Sequence, residues 1–181
     1  MPKKEITESD VIDIDSYIKD RDSIKKKIKE HKNNRRVHVG PHATFYFESF
    51  DTMLYQVQEM LYIERGGREQ LQDELRAYNP LIPSGKSLVV TLMFEIDNPN
   101  VRKKFLNSIG GIEKNTFIQV GDQKIYSRAE DDTDRTNEEG KASSVHFLHF
   151  DFDEFQIKSF SNMNLDVSLG FDHQNYQHIS I

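Results

Sequence analysis

The 181-residue chain contains no cysteine and no tryptophan. Without cysteine there can be no disulfide, thiolate metal centre, iron–sulfur ligation or thiol nucleophile in this chain. Any bound metal would have to be held by imidazole, carboxylate or amide oxygen. No apolar run approaches the roughly 18 residues that a membrane-spanning helix requires. The opening MPKKEITESD carries neither the apolar segment of a secretory signal nor a lipidation motif, so a cytoplasmic location is expected. A basic excess is also missing. The formal charge is -6, which argues against a protein built around nucleic acid. The local exception is KKKIKEHKNNRR, from Lys25 to Arg36. It continues a segment whose first half carries Asp13, Asp15, Asp20 and Asp22, and no aromatics interleave it for base stacking. A solvated helix face is therefore expected there, with nucleic-acid binding a distant alternative.

What is present suits a packed core: 36% hydrophobic residues, with 12 Phe and 7 Tyr. The length fits one domain spanning 1–181. An N-terminal helix is expected over about 8–33, since Val11, Ile14, Ile18, Ile24 and Ile28 recur near helical spacing. RRVHVGPHATFYFES reads as two short strands broken at Gly40-Pro41. Asp51 is placed to cap a helix that ends at Gly66-Gly67, and REQLQDELRAY forms another that stops at Asn79-Pro80. SLVVTLMFEI is the clearest strand, and NPNVRKKFLNSIGG reads as a short helix. TFIQV and QKIYSRA form a hairpin across Gly121-Asp122. A flexible acidic loop is expected over about 130–141, followed by strand, short helix, strand and a final short strand in YQHISI. Strands outnumber what a regular βαβ alternation needs. The expected class is therefore α+β, a largely antiparallel sheet covered by helices.

Familiar motifs fail on inspection. PSGKS at Pro83–Ser87 has the tail of a phosphate-binding loop, but Pro80 stands where the first glycine must be. The flanking helix and strand are also in the reverse order. DDTDRTNEE lacks the glycine that a calcium loop needs at its sixth position. There is no GxSxG, HExxH or GxGxxG.

Polar residues on apolar faces remain. In SVHFLHFDF strict alternation puts His146 with Leu148, Phe150 and Phe152, and puts His149 on the other face. In NLDVSLGFDH the row Leu165, Val167, Leu169 and Phe171 continues to His173. In the helix after Asp51, Met53, Val57, Met60 and Leu61 form a stripe with Glu64 in its middle; Gln56 lies at its edge and Glu59 on the far side. Glu48 lies opposite Phe45 and Phe47. Imidazole with carboxylate and no thiolate is a ligand set for iron, manganese or zinc. The competing reading gives each histidine a buried carbonyl or carboxylate partner and lets Glu64 reach solvent or an arginine. His149, His38, His42, His178 and His31 are expected to be exposed.

The segments RRVHVGP, FESFDTMLYQVQEML, LQDELRAYNPLIPSG, SSVHFLHF and GFDHQNYQH resemble a bacterial family known as domain of unknown function 3501. The likeness covers nearly the whole chain. It carries over the turn Val39–Pro41, Glu48, the run Gln56–Met60, Glu64, Tyr78-Asn79, His146, and Asp172, His173 and Tyr176. Two positions depart from the family pattern: His149, usually basic, and Gln174, usually proline, which would loosen the turn after His173. The resemblance implies no established reaction, but it does imply an association with rubrerythrin-like and iron–sulfur redox proteins.

Two function classes follow. In the first, His146 and His173 with Glu64, Glu59 or Glu48 hold iron, manganese or zinc, Gln56 and Tyr176 orient the ligands, and the role is tied to redox or peroxide metabolism. In the second, the chain is a non-enzymatic interaction module for a redox partner or for a homodimer, its polar residues serving the fold.

Overall fold

A computed structural model describes residues 3–130 and 140–181. These residues divide into two compact units: one of residues 1–35 and 47–84, the other of 36–46 and 85–181. Most of the expected acidic loop lies outside the described residues.

The first unit is helical. Helix α1 (Ile14–Asn33) starts later than its apolar spacing suggests, because Asp13 caps it by accepting a hydrogen bond from the Ser16 amide at 3.0 Å. Residues Glu8–Asp10 form only a single 3-10 turn. The stretch between is held open by Gln58, which donates to the Ile12 carbonyl (3.0 Å) and accepts from the Ile12 amide (3.1 Å). Helix α2 (Phe50–Glu64) is capped by Ser49 and not by Asp51, since Ser49 and Thr52 exchange side-chain bonds with each other's backbone amides. It ends where Arg65 takes a left-handed conformation, φ 54°. Helix α3 (Gly67–Tyr78) then runs into a 3-10 turn at Asn79–Leu81. Asn79 repeats the amide clamp on Ile6, accepting from its amide (2.7 Å) and donating to its carbonyl (3.0 Å). Helix α2 packs against both α1 and α3. Tyr17, Met53, Val57 and Leu61 are among the buried side chains of this unit.

The second unit contains two antiparallel sheets rather than one. The strands are β1 (Arg36–Val39), β2 (Ala43–Phe47), β3 (Ser87–Phe94), β4 (Thr116–Val120), β5 (Gln123–Tyr126), β6 (Arg128–Ala129), β7 (Val145–Asp151), β8 (Val167–Phe171) and β9 (Ile179–Ser180). One sheet has the order β1-β2-β3-β7-β6 and the other β5-β4-β8-β9. Helices α4 (Pro99–Ser108) and α5 (Glu154–Phe160) complete the unit. The fold class is α+β with antiparallel strands, as expected. In the β3–β7 register, Val90 faces Leu148 and Leu92 faces His146, so these four share one buried face. Phe171 of the second sheet meets Phe45 and Phe94 of the first at ring distances of 5.3 and 6.2 Å, which closes the core between the sheets.

Candidate functional site

The two imidazoles expected on inward faces are there, each with a backbone partner. His146 on β7 is 1% exposed, donates from Nε2 to the Ser143 carbonyl at 2.9 Å, and meets the Phe94 ring edge-on. His173 donates from Nε2 to the Gly110 carbonyl (3.2 Å) and accepts at Nδ1 from the Asn175 amide (3.2 Å). That uses the whole hydrogen-bonding capacity of a neutral imidazole. The turn after it closes by a bond from the Tyr176 amide to the His173 carbonyl at 2.8 Å, with Gln174 in the place of a proline. His149 is a correction to the sequence reading. It is buried, not exposed, and pairs with Glu130. The middle of β7 is covered on both faces, so alternation there carries no inside–outside signal.

Tyr176 is buried, and its hydroxyl pins the turn between β1 and β2. It donates to the Val39 carbonyl (2.8 Å) and accepts from the amides of His42 and Ala43 (3.1 Å each). Burial raises the phenol's pKa. Gly40 lies in that turn at φ +69°, and a Cβ on it would stand 2.7 Å from the Tyr176 hydroxyl and 2.6 Å from the His178 ring.

The carboxylates belong to the helical unit, and two of them sit differently from their helical-wheel positions. Glu64, expected within a buried stripe, is exposed and accepts from Gln70 Nε2 at 3.1 Å. It is the last residue of α2, and a helical wheel shows angle but not distance along the axis. Glu59, expected on the far side, is buried, because that side of α2 faces α1. Its oxygens accept from Arg21 Nε and Nη2, both at 2.8 Å, and from the Tyr17 hydroxyl. The Arg21 guanidinium holds the Glu59 carboxyl below its usual range, and burial followed by the Glu59 contact pushes the Tyr17 phenol up. Arg21 also lies over the Tyr62 ring at 4.5 Å. Glu48 is buried and accepts from the Thr52 hydroxyl at 2.5 Å. Gln56 is half-buried, with its amide 3.5 Å from the Tyr78 hydroxyl. The structure thus places His146, His173 and Tyr176 in one unit and Glu48, Gln56, Glu59 and Glu64 in the other. Among the described residues no group of three His, Asp or Glu side chains could hold a metal ion.

One open feature of the helical unit is absent from the sequence reading. A cavity of about 440 Å³ lies between α1 and α2. Its apolar lining includes Ile24 and Ile28 of α1, Leu54 and Tyr55 of α2, and Ile12 and Tyr17. Lys27 and His31 of α1 and Asp51 of α2 also line it. His31 Nε2 lies 3.0 Å from Ser49 Oγ, whose hydroxyl caps α2, and Lys32 sits over the Tyr55 ring at 5.7 Å. The sequence signal was the pair Ile24 and Ile28 beside Lys27 and His31, both at i,i+4, in the polar C-terminal half of α1.

The fold and these sites define an α+β protein whose buried polar side chains are engaged by its own backbone and side chains, and whose helical unit carries an open, largely apolar groove. The chain belongs to the family DUF3501, described as a protein of unknown function, which matches residues 5–181. A solved structure described as a novel protein of unknown function from Burkholderia pseudomallei K96243 is similar to it, at 33% identity and a TM-score of 0.87. That match covers 96% of this chain and 90% of the other. No curated protein matches the chain. No helix among the described residues is long and apolar enough to cross a membrane.

Proposed function

We propose that the chain is a non-enzymatic binding module and that the groove between α1 and α2 is its binding element. The groove carries the reading because it is both open and apolar. Ile24, Ile28, Leu54 and Tyr55 line it and remain partly exposed. Covering such surface is favourable by about 25 cal/mol per Å² of apolar area removed from water. Lys27, His31, Asp10 and Asp51 also line it, so its charged lining carries both signs. No comparable geometry supports the reading of an iron, manganese or zinc centre tied to redox metabolism: His173 has both ring nitrogens engaged, and the Glu59 carboxylate is taken by Arg21 and Tyr17.

The test uses 1-anilinonaphthalene-8-sulfonate, an apolar anion of suitable size. Saturable, blue-shifted fluorescence is expected, weakened at least about fivefold in Leu54→Glu and in the exposed-rim variant Lys27→Glu, with circular dichroism unchanged. Absence of dye binding, or binding indifferent to both substitutions, would overturn the proposal.

A further inference from the structure

One face of β1 and β2 carries a hydrogen-bonded relay that ends on an exposed imidazole. Alternation along β1 sets Arg36 and His38 on the face opposite the buried Val39. The register sets Tyr46 across from Arg36 and Thr44 across from His38, so these four share that face. Thr44 is buried, and its hydroxyl lies 2.5 Å from Glu95 Oε2 and 2.9 Å from His38 Nδ1. The Tyr46 hydroxyl donates to Glu95 Oε1 at 3.2 Å. All five residues belong to the second unit. A carboxylate only accepts, and Thr44 has a single hydroxyl proton to give. That proton lies toward Glu95, so the bond to His38 takes its proton from Nδ1–H. Nε2 is then the ring nitrogen with the lone pair, on an exposed side chain.

We propose that His38 Nε2 accepts a phosphoryl group from a phosphoramidate donor, the class that includes a phosphohistidine on another protein. This is independent of the groove. An unprotonated Nε2 fixed in one tautomer suits an electrophile, either a metal ion or a phosphoryl group. Arg36 decides between them. It stands two residues along the same face, about 7 Å away at Cα, where its charge repels a metal ion and attracts phosphoryl oxygens. In the transfer the Nε2 lone pair attacks phosphorus and a new N–P bond forms. The donor's N–P bond breaks, and its nitrogen leaves with the bonding pair as a neutral amine or imidazole. The bonds made and broken are of one kind, so no further co-reactant is needed. The accepting ring keeps its Nδ1 proton and becomes cationic, a charge that the Glu95 carboxylate opposes through the Thr44 hydroxyl.

Incubating the full chain with potassium phosphoramidate at mildly alkaline pH, and comparing its seven histidines by peptide mapping, tests this. His38 is expected to react at least about fivefold faster than any other histidine, with the product at Nε2 by phosphorus–nitrogen coupling. Arg36→Gln should slow His38 at least about threefold. Thr44→Val, which keeps the side chain's volume, should slow it at least about fivefold and move the ring to the Nε2–H tautomer in nitrogen-15 NMR. Should Thr44→Val fail to fold by circular dichroism, Glu95→Gln, on an exposed side chain, carries the same test of the relay. His38 reacting no faster than the other histidines, a product at Nδ1, or a rate indifferent to Arg36→Gln and to the relay variants would overturn the proposal.

Discussion

Replacing Glu59 by glutamine probes the contact that holds α1 against α2. The substitution keeps the side chain's volume but removes the charge, and it puts an amide nitrogen where one carboxylate oxygen accepted. Glu59 accepts three hydrogen bonds, two of them from Arg21 at 2.8 Å. Removing one partner of a buried ion pair costs about 3–5 kcal/mol. Here the Arg21 side chain remains 25% exposed and stacks on Tyr62, so it keeps part of its hydration. The cost therefore falls to about 2–3 kcal/mol. For a chain of this size that lowers the melting temperature by about 5–10 °C. Urea unfolding followed at 222 nm measures it, and a double-mutant cycle with Arg21→Met isolates the pair. Coupling above about 1 kcal/mol is expected. The sign with pH is also fixed. Glu59 titrates below its ordinary value of 4.5, so the folded chain binds fewer protons than the unfolded chain in that range. The pair's contribution is fully present above that value and is lost as pH falls through the lower, folded pKa. The gap between wild type and Glu59→Gln should narrow below about pH 4.5. A Glu59→Gln protein within about 0.5 kcal/mol of wild type, or an additive cycle, would refute this account of the pair.

Two further outcomes follow from the turn between β1 and β2. Tyr176→Phe keeps the ring but leaves the Val39 carbonyl and the His42 and Ala43 amides without their partner; it should destabilise by about 2–4 kcal/mol in urea unfolding, and a loss under about 0.5 would show that water replaces the hydroxyl. Gly40→Ala should cost more than Gly67→Ala by about 1–3 kcal/mol in the same assay. Both glycines have a left-handed φ, but only at Gly40 does an added Cβ meet other atoms, and equal costs would locate the whole effect in the backbone conformation.

Elements with strong local signals were readable from the sequence. SLVVTLMFEI, the Gly121-Asp122 hairpin and the helix ending before Asn79-Pro80 all form where apolar period and turn residues agree. Failures cluster where a distant residue decides. The first helix loses residues 11–13 because Gln58, 46 positions away, bonds both backbone groups of Ile12. Apolar spacing cannot register that competitor. The division of the strands into two sheets is likewise a matter of long-range pairing, to which alternation is blind.

The candidate site was less legible, for a more particular reason. A histidine on the inner row of a strand has the same sequence signature whether it binds a metal or a carbonyl, because both arrangements bury it equally. The partners here, the carbonyls of Ser143 and Gly110, belong to the backbone, and any residue type would supply them. The groove poses the complementary problem. Ile24 and Ile28 signal an apolar face on α1, and in the structure α2 covers only part of that face. Period and composition say that the face needs covering, but not whether the cover is the same chain or another.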